Sequence, residues 1–227
     1  MSEKNLENNS IAVLCRGNSL HHIDKIPVVD EYVLVNRFGD ELEDEKLAGI
    51  LEDKPLTHIL SLVPDEPELM IQRGHYKKFN FNRIVLPYIQ ETAPGVPQNI
   101  EGKNGSIPAY VLGEDHKNYM YKREERPDGD TRYAYSYPTS GIAGVVHATI
   151  DYDKKNVFII GLDFYQAKYA YGFEFQNVKQ SLNRGENSDM MMDFLTNFLS
   201  KHKDKNFTIV TCSDYTCNFE HVNIINI

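Results

Sequence analysis

Asn156-Val157-Phe158-Ile159-Ile160-Gly161-Leu162-Asp163-Phe164-Tyr165 is the stretch on which the reading of this chain turns. Its first half is an unbroken apolar run and its second half opens with a glycine and an aspartate. A strand with one wet face alternates apolar and polar residues, whereas a strand covered on both faces reads as a continuous apolar run. The run therefore predicts a buried strand of a parallel sheet. The Gly-Leu-Asp that follows predicts its carboxyl edge, where α/β sheets place their ligands.

Outward from this stretch, runs of the same kind recur at Ser10 to Cys15, Tyr32 to Val35, His58 to Val63, Arg83 to Leu86 and Phe207 to Thr211. Helices are predicted between them at Asp40 to Leu51, Ser140 to Tyr152 and Ser188 to Lys201. The order β-α-β-α is the pattern of an α/β fold with a mostly parallel sheet. The middle of the chain, Gln90 to Asp130, is rich in Pro, Gly and charge. It is read as loops with one short helix near His116 to Arg126. Tyr165, Tyr169 and Tyr171 fall in a polar stretch, and residues 165–187 read as a flexible lid.

With 227 residues, 41% of them hydrophobic, the chain can bury a full core, and residues 1–227 are read as a single domain. A formal charge of −9 and a pI near 5.4 argue against nucleic acid as a partner, because binding a phosphate backbone needs clustered Lys and Arg. The basic run from Tyr121 to Arg126 is interleaved with Glu124 and Glu125 and reads as a solvated helix face. Cys15, Cys212 and Cys217 fit no paired zinc spacing, and the count suits a reducing compartment. No window approaches the ~18 apolar residues of a membrane span, and the first ten residues carry no apolar leader core. A cytoplasmic location without an integral membrane segment is the expectation.

Three segments carry chemistry. Arg16-Gly17-Asn18-Ser19 follows the first strand, where a glycine permits close backbone approach and a serine can cap the next helix. The segment contains neither the dinucleotide fingerprint nor the P-loop pattern. Thr139-Ser140-Gly141 opens a helix, whose free N–H groups suit a phosphate or ribose. Gly161-Leu162-Asp163-Phe164 ends a strand, where Asp163 could accept hydrogen bonds from a sugar or base. Two DxD triplets, Asp128 to Asp130 and Asp151 to Asp153, read as a turn and a helix end, so no Mg²⁺ or Mn²⁺ site is predicted and no cofactor is called for.

Together these segments resemble the bacterial sialyltransferases of glycosyltransferase family 42, with a fainter likeness to the helix-opening sialylmotif of the eukaryotic enzymes. In that family a strand ends in a GNGPSL-like turn, a second strand ends in Asn, a TSG segment opens a helix, and the next strand ends in GIDFY before a tyrosine-bearing loop. This chain has Arg16-Gly17-Asn18-Ser19-Leu20, Asn36 after Val35, Thr139-Ser140-Gly141, and Gly161-Leu162-Asp163-Phe164-Tyr165 followed by Tyr171-Gly172-Phe173. The stretch from Thr139 to Phe173 is the most specific part.

The resemblance implies a Rossmann-like domain that performs a metal-independent, inverting transfer of a sugar, such as sialic acid or a related nonulosonate, from a CMP-linked donor to a glycan or glycolipid acceptor. Family members often assemble, which implies a homo-oligomer. Arg16, Gly17, Asn18, Ser19, Asn36, Thr139, Ser140, Gly141, Gly161, Asp163 and Phe164 would line the nucleotide. Tyr165 and Tyr171 match two tyrosines that hold the leaving phosphate. Where the family has its general-base His, shortly before an N-[ST]-D segment, this chain has Arg184 ahead of Asn187-Ser188-Asp189. An arginine takes no proton at neutral pH, so Glu186, His116 or another residue serves as base, or no transfer occurs. Arg16 stands for an Asn of the family's first turn, and Val63 before Pro64 for another. A nucleotide- or glycan-binding protein without activity is the second reading, and an unrelated α/β enzyme the third.

Overall fold

The computed structural model describes residues 9–60, 66–86, 100–111, 116, 139–164, 166–167, 170–171 and 184–227, with the backbone alone at 66, 111, 184–187 and 190. The expected helix at His116 to Arg126 lies outside the described residues except for His116. So do Val63, Pro64, Tyr165 and most of the expected lid.

The predicted strands form as β1 (Ser10–Leu14), β2 (Glu31–Val35), β3 (Leu56–Ile59), β4 (Phe81–Leu86), β8 (Asn156–Ile160) and β9 (Asn206–Thr211). With β7 (Ala109–Val111) and β10 (Val222–Asn226) they form an eight-stranded sheet of order β10-β9-β8-β1-β2-β3-β4-β7, in which every neighbouring pair is parallel. Alternation along β1 sends Ile11 and Val13 to one face and Ala12 and Leu14 to the other, and all four are fully buried. Both faces are therefore covered, which is why the strands read as continuous apolar runs. Each fully buried Val, Leu or Ile contributes about 1.5–3 kcal/mol.

Four strands were not in the sequence expectation. The region read as loops holds an antiparallel hairpin, β5 (Ile100–Gly102) and β6 (Gly105–Ile107), and an edge strand, β7 (Ala109–Val111). Lys103-Asn104 makes the hairpin turn and Gly105 supplies a φ of 111°, so Asn104-Gly105 was the local signal. The far edge strand β10 (Val222–Asn226) pairs with β9 after a loop instead of a helix. Its half-exposed residues give it no apolar run to read.

The helix expected over Asp40 to Leu51 is broken into a 3-10 turn at Glu41–Glu43 and α1 (Glu45–Leu51). The break falls at Asp44, whose Oδ1 accepts from Leu47 N at 2.9 Å and caps α1. After α2 (Glu66–Gln72) and α3 (His75–Lys78), the buried helix α4 (Ser140–Ile150) crosses back against β1, β2, β3 and β8. The last helix, α5 (Arg184–Lys201), starts four residues earlier than expected.

Gly144 sets how closely α4 approaches the sheet. A Cβ there would lie 2.9 Å from Val35 Cγ2 and 3.1 Å from Val13 Cγ1, both on stiff β-branched side chains. Replacing a mid-helix glycine by alanine favours the helix by about 1 kcal/mol, whereas overpacking a core costs about 1–3 kcal/mol. Gly144→Ala is expected to destabilise by about 1 kcal/mol and Gly144→Val by about 3 kcal/mol in urea titrations. A more stable Gly144→Ala would mean that this contact does not set the spacing.

Candidate functional site

From β1 the chain runs outward through β2, β3, β4 and β7, then returns through α4 to β8, β9 and β10 on the other side. The order reverses between β1 and β8. Crevices at the carboxyl ends of strands beside such a switch point are where open α/β sheets bind ligands. The three segments singled out in the sequence meet there.

The ends of β1 and β8 are zipped together by their backbones. Cys15 N donates to Ile160 O at 2.8 Å and Gly17 N donates to Gly161 O at 2.7 Å. This closeness demands both glycines. A Cβ on Gly17 would sit 2.5 Å from Asp163 Oδ2, and one on Gly161, whose φ is 78°, would meet the Cys15 carbonyl.

Asp163 was expected to face solvent and a ligand. Instead it is 3% exposed, and its carboxylate accepts four hydrogen bonds from the protein. Ser19 N and Oγ donate at 2.9 and 2.6 Å, Thr211 Oγ1 at 3.1 Å and Cys212 N at 2.9 Å. Ser19 is equally committed, since its hydroxyl also accepts from Gly161 N at 2.9 Å. Phe164, at a φ of 48°, buries its ring against Tyr215. These side chains shape the turn and contribute to the core.

Arg16 is likewise turned inward. Its Nε lies 2.5 Å from Glu41 Oε1, and Asp40 lies 4.0 Å from its Nη2 while also pairing with Arg73 at 2.7 Å. Burial pushes the Glu41 carboxyl above the usual range in spite of the Arg16 guanidinium. Asn18, beside it, reaches Cys212 Sγ at 3.7 Å. Cys15 is buried, and burial raises all three thiols above their ordinary value.

Three features at this edge remain open to a ligand's chemistry. Thr139 makes no side-chain cap to the first turn of α4, and, with the Thr139 N–H donating to Met191 Sδ at 3.5 Å, Ser140 and Gly141 carry the turn's N–H groups to the carboxyl ends of the strands. Gly141 brings that turn against Leu162 and Cys15. Asn36 follows β2 with a φ of 65°, and its buried Oδ1 has no hydrogen-bond partner among the described residues. Tyr171 packs on His21 with ring centroids 4.7 Å apart, while His21 Nε2 donates to Ala170 O at 2.8 Å. Burial, and hydrogen bonding to Asp44, push the Tyr171 phenol up to about 12. It is a proton donor at neutral pH.

His58 was not recognised as part of this edge. Its Nε2 lies 2.6 Å from the Asn36 carbonyl, which only accepts, so Nε2 carries the proton and Nδ1 accepts from Tyr76 Oη at 2.7 Å. The buried imidazole thereby holds Asn36 in its left-handed backbone. His116, a candidate base in the sequence reading, lies at the opposite end of α4 against Asp151. The side chains of Tyr165, Arg184 and Glu186 lie outside the described residues. No described helix is long and apolar enough to cross a membrane.

No family model matches the chain, and no curated protein matches it either. Solved structures of the sialyltransferase CstII do. CstII from Campylobacter jejuni in complex with the substrate analogue CMP-3FNeuAc aligns at a TM-score of 0.51 and 17% identity, over 88% of this chain and 80% of that one. Its complex with a trisaccharide acceptor and CMP gives 0.52 and 18%, with the same coverage. A substituted form with CMP gives 0.53 and 16%, over 96% and 86%. The chain shares the fold of these enzymes.

Two outcomes follow from the geometry. Asp163→Ala leaves Ser19 N, Ser19 Oγ and Cys212 N without their acceptor, while Thr211 Oγ1 keeps Leu162 O, and is expected to destabilise the fold by about 3–5 kcal/mol, read by chemical denaturation. A loss below 1 kcal/mol would show that water replaces the carboxylate. Burial lowers His58 from 6.5 to about 4, so between these values the unfolded chain binds more protons than the folded one. Stability is therefore expected to fall by up to about 3 kcal/mol as pH drops from about 6.5 to 4. The drop should be smaller in His58→Gln, and equal slopes in the two proteins would remove His58 as its source.

Proposed function

We propose that this chain is a glycosyltransferase-like protein that binds a CMP-linked sugar at the carboxyl ends of its strands and transfers the sugar to a glycan or glycolipid acceptor. The observation that carries the reading is the N-terminus of α4 at the sheet's switch point, where Thr139 makes no side-chain cap, together with the buried Asn36 Oδ1 that has no partner among the described residues. Helix N–H groups suit a phosphate, and an amide oxygen suits an amine or hydroxyl of a nucleoside. The likeness to CstII structures holding CMP supports the same choice of ligand.

In the proposed reaction an acceptor hydroxyl attacks the anomeric carbon, the bond to the CMP phosphate breaks, and a base takes the hydroxyl proton. Asn18, Asn36, Thr139, Ser140 and Gly141 contact the nucleotide. Arg16, Gly17, Ser19, Gly161, Asp163 and Phe164 hold those residues in place. The phenols of Tyr165 and Tyr171 donate to the departing phosphate, which gains charge as the bond breaks. For Tyr171 this means leaving Asp44. The helix N-terminus and the phenols stand in for a metal. With His116 at the other end of α4, Glu186 in the first turn of α5 is the proposed base. A cytoplasmic setting, where CMP-sugars are available, and assembly into homo-oligomers complete the proposal. The arginine at position 184 favours the second reading, a binding protein of the same fold that performs no transfer.

Thermal shift against CMP, CDP, UDP, GDP and NAD tests the site. CMP at ~100 times its dissociation constant is expected to stabilise the fold by ~2.7 kcal/mol, and Asn36→Ala to reduce that shift. A preference for NAD would overturn the proposal. Tyr171→Phe is expected to lower turnover ~100-fold with little change in CMP affinity, because its donor acts on charge that develops in the transition state. Turnover that survives EDTA agrees with the reading, and CMP binding without turnover supports the binding protein instead.

A further inference from the structure

We propose that His116, His147 and Asp151 form a transition-metal site, suited to zinc, at the end of α4 remote from the proposed nucleotide site. His147 and Asp151 are one helical turn apart on α4, so their side chains lie on one face. His116 comes from a distant part of the chain. Its Nε2 lies 2.9 Å from Asp151 Oδ2, and His147 Nδ1 contacts the same oxygen. One ligand atom from each residue thus lies within 4.8 Å of the other two.

Two imidazole nitrogens and one carboxylate oxygen directed at one point are the protein donor set of a zinc site that keeps an open position. Both rings are buried, and each also has a nitrogen, His116 Nδ1 and His147 Nε2, without a partner among the described residues. The group also stands at the carboxyl end of α4, where the helix dipole favours a cation. Arg83, over the Tyr152 ring at 5.4 Å, is the positive charge that opposes it.

The position assigns a structural role. α4 begins at the carboxyl ends of the strands and finishes near their amino ends, where Tyr152 Oη meets Thr57 Oγ1 of β3 at 2.6 Å. A metal here would tie the end of α4 to the segment around residue 116 and would take no part in sugar transfer.

The test uses the full chain, stripped with a chelator and titrated with Co²⁺, then Zn²⁺. One equivalent of Co²⁺ is expected to bind with a visible d–d spectrum lacking sulfur charge-transfer bands, and to be displaced by Zn²⁺. Asp151→Asn, which keeps the helix and the side-chain volume, is expected to weaken Zn²⁺ binding on the order of 100-fold or more, with an unchanged circular dichroism spectrum. His147→Gln should do the same. Absence of saturable binding, sulfur bands pointing to Cys212 or Cys217, or undiminished affinity in Asp151→Asn would overturn the site. None of these outcomes depends on whether CMP binds.

Discussion

The Asp163 carboxylate gathers donors from two segments: Ser19 beyond β1, and Thr211 with the backbone of Cys212 at the end of β9. β8 lies between β1 and β9, so one buried side chain ties the ends of three adjacent strands together. A buried carboxylate without partners would cost several kcal/mol, so the four bonds make its placement self-consistent and the turn geometry unique. Gly17 and Gly161 are glycines because this knot leaves no room for a Cβ. The first turn of α4 then settles on Leu162 and Cys15.

Around this knot the residues divide into a rigid inner set and an outer set with unspent chemistry. Ser19, Asp163, Phe164 and Arg16 are buried and engaged, while Asn36, the start of α4 and Tyr171 keep groups that a ligand can use. Such a division is what pre-organisation requires, because a contact residue is only as well placed as the groups that hold it. His58 illustrates the principle, fixing the Asn36 backbone from within the core.

Charge at this edge is finely set. Asp40, Glu41 and Asp44 stand close to a site read as anionic-ligand binding, in a chain of net charge −9. Arg16 and Arg73 draw on two of these acids, and the third caps α1 while holding the Tyr171 phenol. The helix α4 carries opposite potentials to its two ends, positive at the strand carboxyl ends and negative beside His147 and Asp151. One element thus suits the proposed anion at one pole and the proposed cation at the other.

The sequence by itself determined the sheet. Runs such as Ile11-Ala12-Val13-Leu14 and Val157-Phe158-Ile159-Ile160 are apolar on both faces, and only a strand covered on both sides requires that. It also marked the segments that meet at the switch point, because glycines and polar residues directly after such runs are local signals. Half-exposed β10 and short β7 left no such pattern, since edge strands need little burial. Whether Asp163 would meet solvent or the interior was decided only by tertiary structure. A strand-end aspartate is the same letter in either case, and its donors lie 48 and 144 residues away along the chain. The same holds for His116 beside Asp151, 35 residues apart, and for His58 beneath Asn36: a side chain's partners across space leave no period in the sequence.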